Sequence, residues 1–101
     1  MLKLFAMYKE KPADEAAFWK HYNEVHTPLV MKVPGISKLI VNKVVGSPMG
    51  EAPYYLIVEM QFPDQATFDK AMQSPENGAA AEDAGKLSGG KVDLAIAVTE
   101  D

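Results

Sequence analysis

Ile36-Ser37-Lys38-Leu39-Ile40-Val41-Asn42-Lys43-Val44-Val45, followed across Gly46-Ser47-Pro48-Met49-Gly50 by Tyr54-Tyr55-Leu56-Ile57-Val58-Glu59-Met60-Gln61-Phe62, decides the topology of this chain. Both runs have strand length and are rich in β-branched and aromatic residues. A glycine- and proline-containing loop joins them, with no helical pattern between, so the middle of the chain holds two consecutive strands. Upstream, Pro34-Gly35 supplies the residue types a type II turn prefers at its central positions. Before that turn, Ala13 to His26 has helical spacing, and Leu2 to Tyr8 is a short apolar run of strand length closed by Lys9-Glu10-Lys11-Pro12. Downstream, Pro63-Asp64 precedes a helix with apolar positions Phe68, Ala71 and Met72. Ser74-Pro75-Glu76 reads as a cap and a helix restart. The segment Ala79 to Ala84 then stops at Gly85, and a last strand covers Val92 to Thr99. The order β-α-β-β-α-β predicts an α+β, ferredoxin-like plait: a four-stranded antiparallel sheet with its helices on one face.

That layout leaves the sheet's second face to be explained. In the first strand Leu2, Leu4 and Ala6 alternate with Phe5 and Met7, and in the third Leu56, Val58 and Met60 alternate with Tyr55 and Ile57, so both faces are apolar. Helices cover one face only. A large apolar patch is unusual on a small monomer, so a homodimer with its sheets face to face is expected.

The chain has 101 residues, no cysteine and a net charge of −4, with ten lysines and arginines scattered rather than clustered. One domain over residues 1–101 follows from the length and from the absence of a linker. Disulfides, thiolate nucleophiles and zinc-thiolate sites are excluded, while the acidic balance and the short apolar runs speak against nucleic-acid and membrane partners. A cytoplasmic location is the expectation.

Reactive groups concentrate in Phe18-Trp19-Lys20-His21-Tyr22-Asn23-Glu24-Val25-His26-Thr27-Pro28-Leu29. On an ideal helix Phe18, Tyr22, Val25 and Leu29 face the core, while Glu15, Trp19 and His26 share one flank. Thr27-Pro28 reads as an N-cap and first helical position, so the long helix is expected to end or kink there and restart as a short turn, with His26 at the corner. An imidazole there titrates near neutral pH, and the phenol of Tyr22 lies one turn earlier, a pair suited to proton transfer on enolisable or phenolic compounds. The bland readings are that His26 caps the break by bonding backbone carbonyls, that Tyr22 is a buried ring, and that Trp19 covers the helix flank instead of lining a pocket. Glu59 interrupts an apolar strand and must be paired, solvated or turned to a cavity, with Lys43 a candidate partner across the sheet. Asp83 and His21 read as solvated helix-surface groups, His21 on the flank opposite His26. A five-residue offset turns the two imidazoles ~140° apart on an ideal helix, a poor metal site. Phosphate-binding glycine loops, a GxSxG elbow and HExxH are all absent, so no cofactor or metal is expected.

Tyr22-Asn23-Glu24-Val25-His26-Thr27-Pro28-Leu29, then Pro34-Gly35, then Tyr54 to Phe62 with Glu59, together resemble the EthD family of the dimeric α+β barrel superfamily, a likeness that covers nearly the whole chain. The resemblance implies ferredoxin-like subunits whose sheets form a barrel in a dimer, and a small-molecule cavity between sheet and helices. It carries over His26 and Tyr22 from the helix motif, Glu59 from the strand and Asp83 from the second helical segment as the family's polar positions. The small Ala79-Ala80-Ala81 segment departs from the family by widening the cavity wall. Superfamily relatives include isomerases, cyclases, decarboxylases and cofactor-independent oxygenases, so the resemblance narrows the site more than the reaction. The expectation is therefore acid/base chemistry by His26, assisted by Tyr22, with Trp19, Glu59 and Asp83 in the pocket, on a small hydrophobic carbonyl or phenolic compound. The alternative is a non-catalytic module that binds or delivers such a ligand.

Overall fold

A computed structural model describes residues 1–100. Strands β1 (Leu2–Tyr8), β2 (Lys38–Lys43), β3 (Leu56–Phe62) and β4 (Val92–Val98) form one antiparallel sheet in the order β2-β3-β1-β4. The expected α+β plait is therefore the fold, with β1 and β3 at the centre. Leu2, Ala6 and Tyr8 of β1 and Leu56, Val58 and Phe62 of β3 are buried under the helices. Lys3, Phe5, Met7, Ile57, Glu59 and Gln61 alternate onto the other face. The middle strands are shorter than the hydrophobic runs suggest, because pairing tapers into the loops. Val44 N–H still donates to the Tyr55 carbonyl at 2.9 Å, and Ser37 N–H to that of Gln61 at 2.8 Å.

The helical layer comprises α1 (Glu15–His21), a π-helical turn (Tyr22–His26), α2 (Thr27–Met31), α3 (Gln65–Met72) and α4 (Pro75–Ser88). Asp14 caps α1 by accepting from Ala17 N–H at 3.0 Å, Asp64 caps α3 by accepting from Thr67 N–H at 2.8 Å, and Ser74 caps α4 by accepting from Asn77 N–H at 3.1 Å. Two expectations fail here. The restart with Pro28 in its first turn is found as α2, but the first helix does not end there and Thr27 is not a cap: His26 and Thr27 are both helical, and Thr27 N–H donates to the Tyr22 carbonyl five residues back. In a regular α-helix the Pro28 ring would meet the Glu24 carbonyl, and widening one turn removes that conflict without ending the helix. The second concerns Gly85, which lies inside α4. The helix ends instead at Gly89, whose φ of +62° is the left-handed conformation that a glycine C-cap adopts.

The wide turn also shifts the buried stripe. Phe18, Tyr22, His26 and Val30 face inward, whereas Val25, expected in the core, is 42% exposed. Two core clusters result. Leu2, Val30, Val33, Phe62, Phe68, Ala71 and Ala80 pack at one end of the strands, and Ala6, Tyr8, Phe18, Tyr22, Leu56 and Val58 at the other. On edge strand β4, Leu94, Ile96 and Val98 point to the helical side yet remain 61–66% exposed.

Candidate functional site

A cleft of about 470 Å³ lies between the middle of the sheet and the helices. Its floor is Leu4 and Ala6 of β1, Met60 of β3 and Val92, Leu94 and Ile96 of β4. Val30, Phe68 and Met72 close one end, and Asn77, Ala80, Ala81, Ala84 and Gly85 form the wall from α4. The volume exists because α4 presents one face of small residues at helical spacing, opposite the small Ala6. His26 and Asn77 are the polar side chains on an otherwise apolar lining.

His26 is 5% exposed, and its Nδ1 lies 2.9 Å from Oδ2 of Asp83, itself 8% exposed on α4. The other carboxylate oxygen, Oδ1, lies 2.8 Å from Nε2 of His21. Burial pushes the Asp83 carboxyl up, but the hydrogen bonds and charge of the two imidazoles outweigh it and hold the group below the usual carboxylate range. Burial lowers His26 more than Asp83 raises it, so this imidazole sits below its ordinary value and is neutral at pH 7. An ionised carboxylate can only accept. Each histidine therefore donates an N–H to it, and neutral His26 carries its proton on Nδ1 with a lone pair on Nε2. No buried side-chain nitrogen or oxygen among the described residues lacks a partner. Among the described residues Nε2 has no hydrogen-bond partner, so it is not fully enclosed, and His26 lines the cleft.

Tyr22 is 1% exposed and does not border the cleft. Its ring packs on Phe18 at a centroid distance of 5.9 Å and behind His26 at 5.0 Å. Burial and the nearby Tyr8 raise its hydroxyl well above the ordinary phenol value, so it stays protonated. Tyr8 is pushed up to about 12 by burial and by the charge of Asp83. Trp19 lies on the far flank rather than beside His26: its Nε1–H donates to the Tyr55 hydroxyl at 3.0 Å, that hydroxyl donates to Glu15 at 2.7 Å, and Lys43 stands 4.4 Å over the indole ring. Glu59 occupies the sheet face away from the cleft, paired with Lys3 at 3.1 Å and not with Lys43, and accepting a hydrogen bond from Gln61 at 2.6 Å.

Of the residues singled out from sequence, the fold thus brings His26 and Asp83 together with Tyr22 at their back, and places Trp19 and Glu59 elsewhere. An α-helical pitch predicts His21 on the flank opposite His26. In a π-turn residues five apart become neighbours, which puts both imidazoles over one carboxylate. Among the described residues no group of three His, Asp or Glu is arranged to hold a metal ion. No helix of the described residues is long and apolar enough to cross a membrane.

Residues 10–91 match the EthD domain. The chain is 31% identical over 83 residues, 82% of its length and 81% of the relative's, to an uncharacterised 11.0 kDa protein of the thcB-thcC intergenic region of Rhodococcus erythropolis. It superposes with a TM-score of 0.89 and 41% identity on an ethyl tert-butyl ether D (EthD) family protein of Bacillus halodurans, over 99% of both chains. The fold is shared with hydroxynitrile lyase from Passiflora edulis, at a TM-score of 0.79 and 12% identity over 99% of this chain and 94% of that one. A dimeric ferredoxin-like protein from Jannaschia has it too, at a TM-score of 0.68 and 12% identity over 97% and 98% of the two chains.

Proposed function

Because the chain belongs to the EthD family, we propose that it is a small acid/base enzyme in which His26 Nε2 takes a proton from a hydrophobic carbonyl or phenolic compound held in the cleft. The observation that carries this reading is the Asp83–His26 pair at 2.9 Å on the lining of an apolar cavity, bonded through Nδ1. A neutral imidazole with Nδ1–H donated to a carboxylate is a ready general base. The same carboxylate stabilises the imidazolium formed when Nε2 accepts a proton. An apolar wall selects the ligand by area, and Asn77 gives the cleft a second polar contact for a substrate oxygen. The buried ring of Tyr22 holds His26 in place from behind. One structural neighbour, the Passiflora enzyme, is a lyase, so this fold accommodates catalysis.

The chain also pairs as a homodimer in this proposal. Phe5, Met7, Ile40 and Ile57 lie half-buried on the outer face of the sheet, too apolar to be left wet, and the Lys3–Glu59 pair among them would lie in the seam. The Jannaschia neighbour is described as dimeric. Light scattering on the eluting protein reports the mass directly, and a monomer at micromolar concentration overturns this part.

The test of function is deuterium washin into 2-indanone, a hydrophobic and enolisable probe, followed by NMR in D₂O. General-base assistance is worth about 10²- to 10⁴-fold, so the wild type should accelerate exchange and His26→Ala should abolish the acceleration. Saturable binding of the probe with no acceleration would favour the binding-and-delivery alternative.

A further inference from the structure

His21 lies outside the cleft, at the end of α1, yet its Nε2–H donates to Asp83 Oδ1 at 2.8 Å while Oδ2 accepts from His26 at 2.9 Å. Both oxygens of one carboxylate are thereby committed to imidazoles from neighbouring turns of a widened helix. We propose that His21 is a positioning residue for the His26 base: by holding one oxygen of Asp83 it fixes the rotation of the carboxylate and draws off part of its charge, and so sets how basic Nε2 of His26 is. The inference rests on reading His26 as a base and concerns a residue that never meets the ligand.

The side chain of His21 is 41% exposed, against 6% for that of His26 and 11% for that of Asp83. His21 is thus the solvent-facing member of the trio, whereas the base and its carboxylate are largely buried. Without the His21 donor, Oδ1 would turn to water, and the carboxylate would concentrate its charge on the remaining buried imidazole. That favours the protonated form of His26. A permanent cation at position 21 acts the other way, since it opposes a second positive charge on His26 through the shared carboxylate. The direction agrees with the depressing influence of His21 on His26. Few other groups compete. Asp83 faces His26 from α4, His21 from α1, and Tyr22 packs on it from its own turn, while Tyr8 of β1 lies within reach of the Asp83 charge. On the sheet, α2 and α3 sides the cleft neighbours Leu4, Met60, Val30, Phe68 and Met72 are uncharged.

The experiment is a pH titration of the histidine ring ¹⁵N signals in the labelled full chain, comparing wild type, His21→Ala and His21→Arg. His21→Ala should raise the His26 midpoint by about half a unit or more, and His21→Arg, which keeps a donor and fixes the positive charge, should leave it at or below the wild-type value. The Nδ1–H tautomer of neutral His26 should persist in all three, which also reports that each variant is folded. An unchanged His26 midpoint in folded His21→Ala, or the same rise in His21→Arg, would overturn the inference. These titrations need no substrate. A failed probe exchange with the shifts intact would count against the catalytic reading alone.

Discussion

Asp83→Ala should lower stability mainly through His26, and a pair of double-mutant cycles measures how much. The carboxylate accepts from a buried imidazole at 2.9 Å and from a half-exposed one at 2.8 Å. A buried hydrogen bond to a charged acceptor contributes about 1.5–3 kcal/mol, and losing the acceptor leaves His26 Nδ1–H desolvated with no partner. The His21 pair involves a side chain 41% exposed, so water and salt screen it and its share stays below about 1 kcal/mol. Asp83→Ala alone should therefore cost about 2–4 kcal/mol. For a domain of this size that lowers Tm by about 8 °C or more. The assay is urea unfolding at pH 7.5 of wild type, Asp83→Ala, His26→Leu, His21→Ala and the two double variants. All should be at one protomer concentration, because a dimer's apparent stability depends on it. Coupling of Asp83 with His26 should reach about 1.5–3 kcal/mol and exceed its coupling with His21. A His26 coupling under about 0.5 kcal/mol, within the additivity of independent sites, would refute the claim that this carboxylate holds the ring.

Three further outcomes are expected. Because His26 is buried in its neutral form, the unfolded chain takes up that proton first. Stability is then full above about pH 6.5 and declines as pH falls below it, with a further loss below about pH 4 as the depressed Asp83 carboxylate titrates. Urea midpoints at pH 7.5 and 5.5 check this, and His26→Leu should flatten the first phase. Ala81→Phe projects from the exposed edge of α4 into the cleft and should weaken binding of 2-indanone about tenfold while costing no more than about 0.5 kcal/mol of stability. Equal affinity in isothermal titration would mean that the ligand sits elsewhere. Gly35 has a φ of +83° and faces Thr67, whose Cγ2 an added Cβ would overlap. Gly35→Ala should cost about 2 kcal/mol or more by chemical denaturation, and Thr67→Ser should relieve only the steric part, leaving about 1 kcal/mol of backbone strain.

The strand order was legible because strand periodicity and turn chemistry are local. Ile36 to Phe62 holds two consecutive strands punctuated by Pro34-Gly35 and Gly46 to Gly50, and flanking helices with caps at Asp14, Asp64 and Ser74 leave little choice of topology. His26 was legible as the titratable group of the aromatic helix. What sequence could not show is which groups meet it. One widened turn ahead of Pro28 changes the phase of every later residue in that helix, and an ideal 100° step therefore put Val25 in the core and His21 on the wrong side. Asn77 gave no signal at all, since a lone amide early in a helix is ordinary. Residue type alone predicts Trp19 and Glu59 in the pocket, and their surroundings instead come from Tyr55, Lys43 and Lys3, partners from distant elements. The sequence by itself determined the elements, their order and the apolar character of both sheet faces. Only the tertiary structure decided that Asp83, 57 residues from His26, lies between two imidazoles beside an apolar cleft, because that meeting depends on the pitch of one helical turn and on the docking of α4 against it.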